Sequence, residues 1–250
     1  NITAYGNKIT KLPAERRTMT VDGVDGYSSG ILFFGEGEAF GTFYLPKYAG
    51  VDKNTGESLF YKDVKDQYGK VIGQETTSNY TDATYHLCGG SLADAYGGFG
   101  TSLSWKGLSV SVDFSYQIGG KLYDYTYANQ MTFGRGSAFH ADLLKSWTEE
   151  STNTDVPRMQ FNDPYTAASS DRFLTSASYL CLQNVNIGYQ LPTKWRKHIG
   201  LQQVRVYASG DNLWMWSKRQ GLDPRQSLGS SSAEYYAPMR TISGGITVSF

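Results

Sequence analysis

The last eleven residues, Arg240 to Phe250, read R-T-I-S-G-G-I-T-V-S-F and constrain the fold more than any other stretch. Ile242, Gly244, Ile246, Val248 and Phe250 fall on one face of an extended chain, and Thr241, Ser243, Gly245, Thr247 and Ser249 on the other. A period of two is the period of a strand. One face is apolar and the other small and polar, over about the ten residues that a membrane-crossing strand needs. A soluble edge strand can carry the same alternation. The aromatic at the end of the pattern favours the closing strand of a barrel, with Ile246, Val248 and Phe250 as its assembly signal.

Four other segments alternate in the same way. Phe99, Thr101, Leu103 and Trp105 oppose Gly100, Ser102 and Ser104, and Leu108, Val110, Val112, Phe114 and Tyr116 oppose Ser109, Ser111, Asp113 and Ser115. Only Lys106-Gly107 separates the two, which predicts a tight hairpin. Val185, Ile187, Tyr189 and Leu191 alternate with Asn184, Asn186, Gly188 and Gln190, and Val204, Val206 and Ala208 with Arg205, Tyr207 and Ser209. The opening I-T-A-Y-G-N-K-I-T also has strand character, and the start at Asn1 without Met reads as a fragment of a longer polypeptide.

The connections alternate in length. A two-residue turn at 106–107 precedes a long connection over 119–177, then a medium one at 192–202, then a longer one at 217–237. Outer-membrane barrels show this asymmetry, with short periplasmic turns and long extracellular loops. With 106–107 in the periplasm, 108–118 runs outward, 178–191 inward, 203–215 outward and 240–250 inward, so Phe250 ends in the periplasm. Trp105, Tyr189 and Phe250 then fall at one rim, and Tyr116 and Tyr179 near the other, as aromatic girdles require. Within the long connection, His140 to Trp147 (H-A-D-L-L-K-S-W) predicts a short surface helix.

Composition excludes several alternatives. Lys+Arg and Asp+Glu are both 23, so the net charge is zero and the basic footprint of a nucleic-acid binder is missing. Mean hydropathy is −0.42 and no apolar run approaches 18 residues, so a helical span is excluded. A barrel is not, because its polar inner face dilutes hydropathy. Gly is 28 of 250 residues and Tyr (19) exceeds Phe (12), which suits girdled, tightly turned β-structure. Two distant cysteines, Cys88 and Cys181, make neither a disulfide framework nor a metal pair. The histidines, His86, His140 and His198, form no metal or catalytic motif, and no nucleotide-binding or nucleophile-elbow motif is present. No catalytic residue, metal or cofactor is expected, and the chain does not read as an enzyme. Asp52 to Glu57 (D-K-N-T-G-E) has the wrong glycine position for a calcium loop and reads as a turn closed by Gly56.

The segment S-A-S-Y-L-C-L-Q-N-V-N-I-G-Y-Q-L-P (Ser176 to Pro192) resembles the signature "ASYLRLKNVTLGYTLP" of SusC/RagA-type TonB-dependent outer-membrane transporters. Further landmarks follow in the family's order: V-R-V-Y-A-S-G-D-N-L (Val204 to Leu213), G-L-D-P (Gly221 to Pro224) and the terminal I-T-V-S-F. Upstream, A-G-V-D-K-N-T-G-E (Ala49 to Glu57), Y-G-G-F (Tyr96 to Phe99), W-K-G-L (Trp105 to Leu108) and W-T-E-E…N-T-D-V-P-R (Trp147 to Arg158) are also similar to family landmarks. Two positions depart: Cys181 stands where many members carry Arg, and Arg225 where an acidic residue is common.

The resemblance implies an all-β chain, with residues 1–250 forming the C-terminal part of one transmembrane antiparallel barrel of 22 strands. The plug domain and the N-terminal strands have no counterpart here. Strand and loop lengths give roughly eight to ten strands. The implied function is TonB-dependent import of a large ligand, an oligosaccharide or, as the alternative, a peptide, across the bacterial outer membrane. The implied partners are a SusD-like surface lipoprotein, the TonB-ExbB-ExbD system acting through the plug, outer-membrane lipid and lipopolysaccharide, and the rest of the barrel. Two other classes stay open: a barrel acting as a structural scaffold, and a soluble carbohydrate-binding β-sandwich. Candidate ligand-contacting residues are Trp214, Trp216, Tyr235 and Tyr236, as a stacking surface at the mouth, and Asp113 in the lumen. An aromatic girdle is the competing reading for the two tryptophans, which share a face.

Overall fold

The structure, a computed structural model, describes residues 1–133, 138–161, 163, 165–198, 200–219, 221–226 and 237–250. Among them, six antiparallel strands form one curved wall: β1 (Ile2–Ala4), β2 (Ala95–Trp105), β3 (Leu108–Ile118), β4 (Tyr179–Gln190), β5 (Gln203–Ser217) and β6 (Thr241–Ser249), in that spatial order. From β2 to β6 the wall is a plain meander, each strand paired with the next. All five alternating segments are therefore strands. The first begins at Ala95 rather than Phe99, because Ala95 to Gly98 pair with Ser115 to Ile118 although small residues and Tyr96 hide their alternation.

Register decides which side chains share a face. Leu103, Val110, Ile187, Ala208 and Gly244 form one cross-strand row, and Trp105, Leu108, Tyr189, Val206 and Ile246 the next. The intervening rows are Ser102, Ser111, Asn186, Ser209 and Ser243, and Ser104, Ser109, Gly188, Tyr207 and Gly245. The wall thus has one apolar and one small, polar face. Among the described residues much of the apolar face is exposed: Leu103 is 66 % exposed and Ile242 77 %, whereas Val204 near the tight-turn end is buried. A broad, largely exposed apolar sheet face of this kind suits lipid rather than water.

Two bulges shape the far end of the wall. Phe114 pairs with Leu182 but Asp113 with Asn184, so Gln183 is an extra residue in β4 and reverses the strand's facing. In β5, Asn212 takes a left-handed φ of 51° and, with Leu213, is likewise extra. The reversal corrects one expectation. Tyr116 stands on the apolar face with Leu180, whereas Tyr179 lies opposite Gln117 on the polar face. Tyr179 is not part of the outer girdle.

The expected eight to ten wall strands are also corrected. Residues 5–94 leave the wall after β1 and return at β2, at the same end from which 119–178 emerge. There they build a separate layer. It contains an antiparallel five-stranded sheet (Met19–Val21, Val24–Ser29, Leu32–Gly35, Thr42–Pro46, Tyr85–Gly90) and a three-stranded one (Tyr48–Val51, Ser58–Lys65, Val71–Thr77). Residues 119–178 add a short ladder (Lys121–Tyr123 with Leu174–Ser176), helix α1 (Tyr125–Gln130) and a single 3-10 turn, Ala141–Lys145, where the surface helix was expected. Asp124 caps α1 by accepting a hydrogen bond from the Tyr127 amide (2.9 Å).

The two insertions share one apolar core. Phe43, Leu45 and Cys88 from the first pack with Tyr123, Ala128, Met131, Leu143, Val156 and Phe173 from the second. This core lies in the layer and not in the wall. The opposite end of the wall carries the Lys106-Gly107 turn and the link holding α2 (Thr193–His198). No helix among the described residues is long and apolar enough to cross a membrane, so any crossing is made by strands.

Candidate functional site

Three places on the polar face and its rim concentrate polar side chains. The first is mid-wall. Asp113 projects from β3 across Gly100, where a Cβ would collide with its carboxylate oxygen. Among the described residues Asp113 makes no hydrogen bond or ion pair. Its neighbour Asn184 donates instead to Asp211 Oδ1 (2.7 Å).

The second lies above the bulges, where Leu222 to Gln226 fold back over the polar face. Asp223, 6 % exposed, accepts from Arg225 Nη2 (2.7 Å) and Nε (3.0 Å). Arg225 Nη1 donates to Asn212 Oδ1 at 3.0 Å and meets Cys181 Sγ at 3.2 Å. Nearby, Arg219 pairs with the helix-capping Asp124 (2.9 Å) and stands 3.8 Å over the Tyr127 ring. The segment after β5 is thereby tied both to the wall and to the layer.

The third is a cleft of about 730 Å³ at the junction of wall and layer. Tyr5, Asn7, Asp94, Lys121, Asp171 and Lys218 line it, together with Gly119 and Gly120, whose φ of 80° and 75° bend the chain out of β3. Lys121 Nζ donates to the Cys88 carbonyl (2.6 Å), and Asp171 Oδ1 accepts from the Tyr48 amide (2.8 Å). The cleft therefore presents both signs of charge on braced side chains. The sequence reading missed it. Its walls come from six stretches scattered over the chain, and the Gly-Gly bend is their one local signal.

In the layer the turn at Asp52 to Glu57 has the predicted closure. Asp52 Oδ1 accepts from the amides of Asn54 (2.7 Å) and Thr55 (3.0 Å), which hold its carboxyl below the ordinary value of 3.8. Gly56 has φ 73° and lies against the Trp147 ring. Trp147 Nε1 donates to the Lys53 carbonyl (3.1 Å), and Arg158 donates to the Thr55 carbonyl (2.7 Å) and Glu57 Oε1 (3.1 Å). Two landmarks about a hundred residues apart, the D-K-N-T-G-E turn and W-T-E-E…P-R, thus form one clamp.

The three candidate ligand residues that are described, Trp214, Trp216 and Asp113, do not converge. Trp214 and Trp216 pair with Leu182 and Leu180, which puts both on the apolar face, 49 % and 56 % exposed and opposite in facing to Asp113. Tyr235 and Tyr236 lie outside the described residues. Of the described candidates, only Asp113 stands on the polar face. Ile246 and Val248 lie on the apolar face beside Val206 and Val204, and Phe250 follows β6, 86 % exposed. No group of three or more His, Cys, Asp and Glu suited to a metal ion occurs among the described residues.

No family model matches the chain. It is 28 % identical over its whole length to TonB-dependent receptor P3 of Formosa agariphila, covering 26 % of that protein. It is 24 % identical over 98 % of its length to TonB-dependent receptor SusC of Bacteroides thetaiotaomicron, covering 23 %. The RagAB peptide importer in its "open-open" state superposes with a TM-score of 0.75 at 28 % identity, over 97 % of this chain and 25 % of that one. The "closed-closed" state gives 0.71 at 29 % identity. The chain spans about a quarter of the length of these proteins. With the two-faced wall, the matches define the class: part of the transmembrane β-barrel of a TonB-dependent transporter. Within that class, the chain is similar to a segment of SusC and of the RagAB transporter structures.

Proposed function

We propose that the intact polypeptide actively imports a ligand too large for porins across the outer membrane, with an oligosaccharide as the ligand. In this reading a SusD-like surface lipoprotein delivers the ligand, and the TonB system supplies energy through a plug carried elsewhere in the polypeptide. The supporting observation is the rim cleft, set on the polar side between wall and layer. Its carboxylates, amide and ammonium groups, with the Tyr5 ring, suit a hydroxyl-rich chain. Asp113 is the proposed next contact within the lumen. A peptide is the second reading, favoured by the likeness to RagAB structures described as a peptide transporter.

In its host, deletion of the full-length gene should abolish growth on one class of glycan while growth on free monosaccharides continues. An uncoupler should stop uptake by the wild type. Loss of growth on oligopeptides alone would select the peptide reading, and unchanged uptake of both classes would overturn import in favour of a scaffold.

A further inference from the structure

We infer that the tight-turn end of the polar face holds a seat for a carboxylate carried by the barrel's own plug. This rests on reading the chain as part of a plugged transporter barrel. A cleft of about 450 Å³ opens there, lined by Ser104, Lys106, Ser109, Gln190, Gln203 and Arg205 among others. Two of the lining residues are cations and none is a carboxylate. The register puts Ser104, Ser109 and Arg205 on the polar face and Trp105 and Leu108, which also line the cleft, on the apolar face, so the arginine side of the cleft faces the lumen.

Arg205 is held in a specific pose. Its guanidinium lies flat over Gly188, where a Cβ would come within 2.7 Å of Nη2. Its one hydrogen bond among the described residues goes to the neutral Ser109 Oγ, at a long 3.4 Å. Lys106, at φ 47°, leans over the Trp105 ring, its Nζ 4.9 Å from the ring centre. Neither cation has an acidic partner among the described residues. An open lumen would leave them hydrated. A lumen filled by protein would strip that water, and a guanidinium desolvated without a counter-charge is strongly destabilising. The planar fork of an arginine complements a carboxylate in two parallel hydrogen bonds. A plug Asp or Glu reaching this cleft would therefore satisfy Arg205.

The test uses the full-length protein and reads the seal rather than transport. Variants Arg205→Glu and Arg205→Lys are compared with wild type at equal inserted amounts, judged by heat-modifiable mobility. The readout is sensitivity of cells to a glycopeptide antibiotic too large for porins. Arg205→Glu should raise sensitivity several-fold, Arg205→Lys should not, and one plug Asp→Arg or Glu→Arg change should restore the seal to Arg205→Glu. An unaltered seal in Arg205→Glu overturns the proposal. Should Arg205→Glu fail to insert, a photo-crosslinking amino acid at position 205 decides. Crosslinks to an acidic plug peptide support the seat, and crosslinks only to lipid, lipopolysaccharide or neighbouring strands overturn it. Substrate uptake enters neither readout, so a failed import reading leaves this result intact.

Discussion

The two positions that depart from the family pattern, Cys181 and Arg225, are 44 residues apart in sequence and touch in space: Arg225 Nη1 stands 3.2 Å from Cys181 Sγ. Cys181 is fully buried, and Arg225 turns its charge onto Asp223. The resemblance implies an arginine at 181 and an acidic residue at 225, and the contact seen here puts those two positions side by side. Here an uncharged thiol accepts an arginine approaching from the other side. Cys181→Arg should therefore be destabilising alone, because it sets two guanidinium groups together at a buried site. Combined with Arg225→Glu it should recover much of the loss. Melting of the full-length barrel in detergent should give a coupling of about 0.5–3 kcal/mol between the two sites, and strict additivity would remove the pairing. Sequence alone showed both departures but not their contact, which depends on a loop folding back across a bulge. Gly56 was better announced, because a glycine closing an Asx turn is a local signal. Gly56→Ala adds a Cβ at φ 73° and within 2.5 Å of the Trp147 ring. It should cost the clamp about 1–3 kcal/mol, seen as faster hydrogen exchange at Asn54, Thr55 and Arg158. Unchanged protection of those amides would show that the clamp tolerates the strain.

At the scale of elements, the wall strands were legible because each residue meets one of two solvents. Lipid on one side and a polar lumen on the other impose a choice at every position, and Leu108 to Tyr116 records it without interruption. The layer was not legible, since its strands run only three to eight residues and its core joins Phe43 to Phe173, distant in sequence. The bulges explain the remaining errors: a single extra residue, Gln183, exchanged the facing of Tyr179 and Leu180. Trp214 and Trp216 could be read as sharing a face, but only the pairing with Leu182 and Leu180 shows which. These facings give a direct comparison on β3. Val112→Arg puts a charge on the apolar face near mid-strand and should cost about 2–4 kcal/mol in folding titrations of the full-length barrel. Ser111→Arg, on the polar face, should cost much less, and equal losses would invalidate the face assignment. Phe250 belongs to the proposed assembly signal with Ile246 and Val248. Phe250→Ala should reduce the amount of full-length protein inserted while leaving uptake per inserted barrel unchanged. Normal insertion with poorer uptake would instead tie this residue to transport.

For the whole molecule, the deciding property is polarity along the wall. One end carries a two-residue turn and the short link through α2, and the other carries the layer built from residues 5–94 and 119–178 with its own apolar core. A folded layer of this size cannot be drawn through the wall, so the two ends must stay on opposite sides of the bilayer. Barrels of this kind keep short turns in the periplasm and long loops outside, and we propose that orientation here. Single cysteines at Tyr68, 85 % exposed at a hairpin tip of the layer, and at Trp195, 67 % exposed in α2, should separate the two sides. The experiment uses intact cells, an impermeant maleimide, and full-length protein in which Cys88 and Cys181 are replaced by alanine. Both native thiols are buried, so their replacement removes background without uncovering a surface. Tyr68→Cys should label in intact cells and Trp195→Cys only after the outer membrane is opened. The reverse pattern would turn the barrel over and move the rim cleft, with the proposed ligand entry, to the periplasmic side. Labelling of both in intact cells would mean that the wall does not separate two compartments, and the membrane-spanning reading would fail at its base.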